Sequence, residues 1–147
     1  MMNIHFSVYI LKSHNKIEVK MLDLKLEGSP KTPTIEFNSG SGYLLIKGRS
    51  IPENSIEFYK SLIEALKAYN ETPQKTTKVD IQLEYFNTSS SKCILDVFKR
   101  LEKINAGDSE VVINWYYEAD DEDMLEAGED YQSITSIPFK MIEVKEE

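Results

Sequence analysis

Lys78-Val79-Asp80-Ile81-Gln82-Leu83-Glu84-Tyr85-Phe86-Asn87-Thr88-Ser89-Ser90-Ser91 is the stretch where an alternating pattern stops and a helical one begins. Val79, Ile81, Leu83 and Tyr85 fall on one face and Lys78, Asp80, Gln82 and Glu84 on the other, the period-2 signature of a half-buried strand. A strand buried on both faces would read as a continuous apolar run. The expectation is therefore a sheet with helices mainly on one face and the other face at least partly wet. Beyond Ser91, the residues Cys93, Ile94, Val97, Phe98, Leu101 and Ile104 recur at three and four, and Gly107 closes that helix. A strand that runs into a helix through Asn-Thr-Ser-Ser-Ser leaves backbone N–H groups free at the helix start, beside several hydroxyls.

Working upstream, Ile56, Tyr59, Leu62, Ile63, Leu66 and Tyr69 form another helical stripe that ends before Pro73. Its start is marked by Ser50 and Glu53 at capping-box spacing with Pro52 between them, or by Asn54 or Ser55 as the cap. Before it, Thr34-Ile35-Glu36-Phe37 and Tyr43-Leu44-Leu45-Ile46-Lys47 flank Asn38-Ser39-Gly40-Ser41-Gly42, which reads as a hairpin. Gly40 and Gly42 have no third glycine and no following helix, so turn chemistry rather than a phosphate loop explains them. Leu22, Leu24 and Leu26 alternate with charged residues in a further strand that ends at Gly28. Residues 1–20 form an uncertain N-terminal extension. Two readings stay open there: a natural start at Met21, or an extra edge strand built on Ile4, Phe6, Val8 and Ile10. Residues 21–147 are then the domain proper.

Downstream, Val111-Val112-Ile113-Asn114-Trp115-Tyr116-Tyr117 reads as a strand. A short acidic helix is expected from about residue 121 to 131, and Phe139-Lys140-Met141-Ile142-Glu143-Val144 as a last strand. The sum is an α/β (α+β) single domain, with a mixed sheet of five to six strands, two long helices and a shorter one.

The chain has 147 residues, enough for one domain that buries about two-thirds of its unfolded surface. Its 17 Lys and Arg stand against 25 Asp and Glu, a net charge of −8 that repels nucleic acid and anionic lipid. Residues 118–130 hold eight of those acids and no Lys or Arg, so the rest of the chain is neutral. The single cysteine, Cys93, allows no internal disulfide and fits a reducing compartment. No apolar run approaches the ~20 residues that a bilayer requires, and no signal peptide is evident. A cytoplasmic protein is expected.

Candidate chemistry is sparse. Both histidines, His5 and His14, lie in the extension, so the domain proper has no imidazole base or metal ligand. Cys93 falls on the apolar face of its helix with no charged activator, which suits a core cysteine better than a nucleophile. The acidic run lacks the ligand alternation and central glycine of an EF-hand, and reads instead as a solvated helix face or a docking surface for a basic partner. No catalytic residue, metal site or cofactor is expected.

The hydroxyl cluster admits two readings. Capping alone accounts for it, with Asn87 or Thr88 as the N-cap and Ser89, Ser90 and Ser91 in further caps and turns. Alternatively Thr88 is phosphorylated, gaining about −1.5 to −2 charges at neutral pH. Free N–H groups, the helix dipole and Lys92 one turn on would favour that phosphate.

Four stretches then carry a resemblance: Gly28-Ser29-Pro30-Lys31-Thr32-Pro33-Thr34-Ile35, Gly48-Arg49-Ser50-Ile51-Pro52-Glu53-Asn54-Ser55, Glu84-Tyr85-Phe86-Asn87-Thr88-Ser89-Ser90-Ser91-Lys92, and Asn114-Trp115-Tyr116-Tyr117 with Met124-Leu125-Glu126-Ala127-Gly128-Glu129-Asp130-Tyr131. Together, in this order, they resemble the SiaC family of bacterial regulatory phosphoproteins, from about residue 21 to 144. The resemblance implies a fold similar to the STAS domains of anti-sigma factor antagonists. It also implies a switch by phosphorylation of the threonine after the asparagine, which is Thr88 here. Asn87, Ser89, Ser90, Ser91, Lys92 and Tyr85 would form the phosphosite environment and partner surface. The implied partners are a Ser/Thr protein kinase, a PP2C-type phosphatase and a GGDEF-domain diguanylate cyclase, which the unphosphorylated form activates to raise cyclic di-GMP and biofilm-type behaviour. An alternative is a STAS-like antagonist that captures an anti-sigma factor or another partner.

Overall fold

The computed structural model describes residues 4–13 and 16–145, with side chains from Leu24 onward. Strands β1 (Ile4–Ser13), β2 (Lys16–Leu26), β3 (Thr34–Asn38) and β4 (Tyr43–Ser50) come first; then α1 (Ser55–Tyr69), β5 (Thr76–Phe86), α2 (Thr88–Ala106), β6 (Glu110–Glu118), α3 (Glu122–Ile134) and β7 (Phe139–Val144). All seven strands lie in one sheet, in the order in which they occur in the chain. The first four pair antiparallel, and β4 to β7 pair parallel. β2 to β7 surround the packed core, and β1 extends the antiparallel edge beyond β2. Of His5 only the backbone is described, in β1, and His14 lies outside the described residues.

Connection geometry decides where the helices go. Each parallel step, from β4 through β7, moves to the adjacent strand in the same direction and passes through one helix. Right-handed crossovers then place α1, α2 and α3 on the same face. Burial follows: Leu24, Leu26, Ile35, Phe37, Leu44, Ile46, Val79, Ile81, Val111, Ile113 and Trp115 are all buried against that layer. The opposite face carries exposed Lys25, Lys47, Lys78 and Lys140. This is the one-sided architecture that the alternation in β5 predicts.

The tight turn between β3 and β4 depends on Gly42, whose φ of 68° suits glycine. An added Cβ would meet the Thr76 carbonyl oxygen at 2.6 Å. Turn geometry thus accounts for Gly42.

Two residues depart from the sequence pattern. The helical spacing puts Ile56 on the buried stripe of α1, but it is 79% exposed. The inward row is instead Ser55, Phe58, Tyr59, Leu62, Ala65, Leu66 and Tyr69, because the hydroxyl of Ser55 takes the inner place in the first turn. Tyr85, which the alternation places beside Val79, Ile81 and Leu83, is 50% exposed. Gly48 pairs with Leu83 but Arg49 pairs with Tyr85, so Glu84 is an extra residue that forms a bulge. A bulge reverses the facing of the residues beyond it. Phe86 takes the inward place and meets Trp115 edge-on at 6.3 Å between ring centroids.

Among the described side chains the wet face has one buried acid, Asp80, which is 8% exposed. Tyr43 donates its phenol hydrogen to Oδ2 at 2.8 Å, and Asn114 donates from Nδ2 to Oδ1 at 2.9 Å. Burial, then the hydrogen bond and charge of Asp80, push the Tyr43 phenol up to about 12.

Candidate functional site

The ends of β4 and β5 and the starts of α1 and α2 meet at one end of the sheet. Ser50 and Phe86 are register partners, and the Asn87 N–H donates to the Ser50 carbonyl at 3.0 Å, carrying the strand pairing to the first residue before the helix. Asn87 then leaves the strand with φ −82° and ψ 173° and caps α2, its Oδ1 accepting the Ser90 N–H at 2.8 Å. Of the two candidate caps it is therefore Asn87 that serves. Thr88 is the first helical residue and is exposed; its carbonyl accepts the Ser91 hydroxyl. The capping box does not form at α1, where the Asn54 side chain accepts the Glu57 N–H at 3.1 Å.

Beneath Thr88 lies a chain of hydroxyls. Ser90 and Ser50 are fully buried and Tyr59 almost so. The Ser90 hydroxyl donates to the Ser50 carbonyl at 3.0 Å, Ser50 Oγ donates to Ser90 Oγ at 2.8 Å, and Tyr59 lies 2.6 Å from Ser50 Oγ. With the proton of Ser50 committed to Ser90, Tyr59 must donate to Ser50. A second branch links the helices: Ser55 and Ser89 hydroxyls are 2.7 Å apart, and Ser89 donates to Asn87 Oδ1 at 3.2 Å. Every buried side-chain polar atom among the described residues has a partner. Such satisfied networks fix geometry at little cost, whereas half-satisfied ones are expensive. Burial pushes the Tyr59 phenol well up, so it stays a donor at neutral pH.

On the far side of α2, the Tyr131 hydroxyl of α3 donates to the Ser91 carbonyl at 2.8 Å. The first turn of α2 is thus held from both flanks, by Ser55 of α1 and by Tyr131 of α3. α1 has Glu57 in its first turn and α3 has Glu122 and Asp123, but α2 has no acid there. The positive end of its dipole is left for another negative charge.

Of the residues singled out from sequence, Asn87, Thr88, Ser89, Ser91 and Lys92 surround the helix start, with Thr88, Ser89 and Lys92 exposed. Ser90 supports the site from below and presents nothing to a partner. Tyr85 joins the rim through the bulge, with the Arg49 guanidinium carbon 5.7 Å from its ring centroid. Sequence reading gave Ser50, Ser55, Tyr59, Arg49 and Tyr131 no role at the site, although all but Tyr59 lie in the stretches that carry the resemblance. Ser50 and Ser55 also read as possible caps, whereas Tyr59 reaches the site through packing alone. Cys93 is buried, and burial together with the Asp96 charge pushes its thiol up, away from the nucleophilic thiolate. Among the described residues no group of three His, Cys, Asp or Glu side chains converges on a metal position, the acidic α3 included.

The fold and site define a small one-sided α/β domain with a hydroxyl-rich helix start locked from both flanks. The model of the SiaC family of regulatory phosphoproteins matches residues 26–144, and the chain belongs to that family. An uncharacterised protein of Pseudomonas aeruginosa (strain UCBPP-PA14) is 33% identical over 119 residues, which are 81% of this chain and 94% of the relative. The solved structure of SiaC of Pseudomonas aeruginosa matches with a TM-score of 0.76 and 30% identity, over 84% of this chain and all of that one. A chain from the crystal structure of the diguanylate cyclase SiaD in complex with its activator SiaC, from the same organism, gives 0.77 and 31%, over 83% of this chain and 100% of that one. The matched residues 26–144 begin at the end of β2, so β1 and nearly all of β2 lie outside the family span.

Proposed function

We propose that this protein is a partner switch set by phosphorylation of Thr88: unmodified, it binds and activates a GGDEF-domain diguanylate cyclase, and the phosphorylated form does not. A Ser/Thr kinase would add the phosphate and a PP2C-type phosphatase remove it, in the cytoplasm, and the domain itself catalyses nothing. The observation that carries this reading is the division of labour at the start of α2. Asn87 takes the cap, leaving Thr88 exposed on a helix turn that lacks its own acid. Support for the output comes from the relative that is an activator of a diguanylate cyclase.

The mechanism rests on charge. A phosphate at Thr88 meets the helix dipole and Lys92 on its own domain, so the fold tolerates it. A partner seated over the spot instead meets a doubly charged group that it must desolvate or repel. The test uses wild type, Thr88→Ala and Thr88→Asp with the GGDEF cyclases of the same genome, measuring affinity and cyclic di-GMP formation. Thr88→Ala should bind, activate and resist the kinase. Thr88→Asp should fold normally and lose at least tenfold in affinity. Equal activation by wild type and Thr88→Asp would sink the switch.

A further inference from the structure

Thr88 owes its place to groups that no partner touches. The Asn87 N–H, just before it, donates to the Ser50 carbonyl at 3.0 Å, and that same carbonyl accepts the Ser90 hydroxyl at 3.0 Å. One atom at the end of β4 thus anchors the chain on both sides of Thr88. Residues 50 and 90 close a ring, because Ser50 Oγ donates back to Ser90 Oγ at 2.8 Å. Hydroxyls can donate in either direction, so a ring of them needs something outside it to fix the protons. Tyr59 fixes them. Its side chain is 1% exposed, its hydroxyl lies 2.6 Å from Ser50 Oγ, and among the described residues it has no other hydrogen-bond partner. Each hydroxyl holds one proton: when Tyr59 donates to Ser50, the Ser50 proton goes to Ser90 and the Ser90 proton to the Ser50 carbonyl. Without the phenol, Ser90 is free to turn its proton to Ser50 Oγ and release the carbonyl.

Resting on the reading of Thr88 as the switch, we propose that Tyr59 is the positioning residue of the phosphosite. Buried on α1, its phenol holds the first turn of α2 in a single arrangement, so that whatever reads Thr88 meets it already ordered. Binding a pre-ordered surface avoids the entropy loss of freezing it on contact, and the difference appears in affinity rather than in the rate of a saturated cyclase. Tyr69 shows what a merely structural phenol looks like. It sits on the same helix, 4% exposed, within 2.8 Å of Thr77 Oγ1 and accepting the Gln74 N–H at 3.0 Å. It closes α1 at the end opposite Ser55. It shares burial and bonding with Tyr59 but not the link to residues 50 and 90.

The test compares Tyr59→Phe, Tyr69→Phe and Thr88→Asp with wild type, by amide exchange in NMR and by titration of the same cyclase. Tyr59→Phe should speed exchange of the Ser90 and Ser91 amides, which bond to Asn87, at least tenfold relative to Val97 in mid-helix. It should also raise the concentration for half-maximal activation at least threefold and leave the saturated rate unchanged. Tyr69→Phe should lower the melting temperature and leave exchange and activation as in wild type. In a Ser50→Ala background Tyr59→Phe should add nothing further, because the bond it removes is already gone. That double variant leaves no phenol unpaired, and it is read against wild type for the same two shifts if Tyr59→Phe does not fold. Unchanged exchange at Ser90 and Ser91, an equal loss in Tyr69→Phe, or a full extra loss on top of Ser50→Ala overturns the positioning role; the switch survives as long as Thr88→Asp loses binding. Activation by Thr88→Asp equal to wild type overturns the switch itself, whatever exchange Tyr59→Phe shows.

Discussion

Asn87 and Thr88 are neighbours with opposite settings: one side chain is spent on the backbone and the other faces solvent. Asn87 Oδ1 serves the Ser90 N–H and the Ser89 hydroxyl together, so its loss leaves more than one group short. Asn87→Ala should cost about 1 kcal/mol in urea denaturation, within the range for caps. An unchanged midpoint would mean that water replaces the cap. Which of the two residues caps could not be read from sequence, because both types cap well. The deciding partner is the Ser50 carbonyl at the end of the neighbouring strand β4, which holds the Asn87 backbone extended.

Among the elements, what could be read depended on how local the cause was. The alternation in β5 and the three-and-four spacing of α2 are local, and both elements and the one-sided sheet follow from them. The sequence pattern misplaces Ile56 and Tyr85 because their facing is set elsewhere, by the Ser55–Ser89 bond and by the bulge opposite Arg49. Both displaced residues lie at the end of the sheet where β5 closes and α1 begins, so the hardest part of the surface to read is where several elements meet. α3 shows a third kind of constraint. Trp115 donates from Nε1 to the Met124 carbonyl at 2.9 Å, and Gly128 lets the helix approach the indole so closely that an added Cβ would lie 2.5 Å from Cδ1. Gly128→Ala should destabilise the fold by about 1–3 kcal/mol through overpacking, despite alanine's better helix propensity. Chemical denaturation followed by fluorescence of the one tryptophan would record it. A stabilised variant would show that α3 can lift without cost.

For the molecule as a whole, buried phenols set a limit on alkaline stability. Burial, and for Tyr43 also Asp80, raises Tyr43 from 10.0 to about 12, and burial lifts Tyr59 and Tyr131 further. The folded state thus holds these protons more tightly than the unfolded chain does. Their contribution is complete below the unfolded value near 10 and is lost as pH rises through the folded values. Unfolding midpoints should fall above about pH 10, with late tyrosinate absorbance appearing together with unfolding. Early, complete phenol titration in a protein that stays folded would contradict this.

Strand order also governs how the sheet is assembled. Because spatial order equals chain order, each strand joins an edge that its predecessor has just provided, and none must be inserted between two already paired. A chain leaving the ribosome can extend the sheet in one direction, one helix-linked step at a time. α2 and its threonine emerge before Tyr131, whose bond to the Ser91 carbonyl closes the second flank of the helix start. If Thr88 is the switch proposed above, a kinase that reads the locked helix start would act on finished molecules and pass over those still being made.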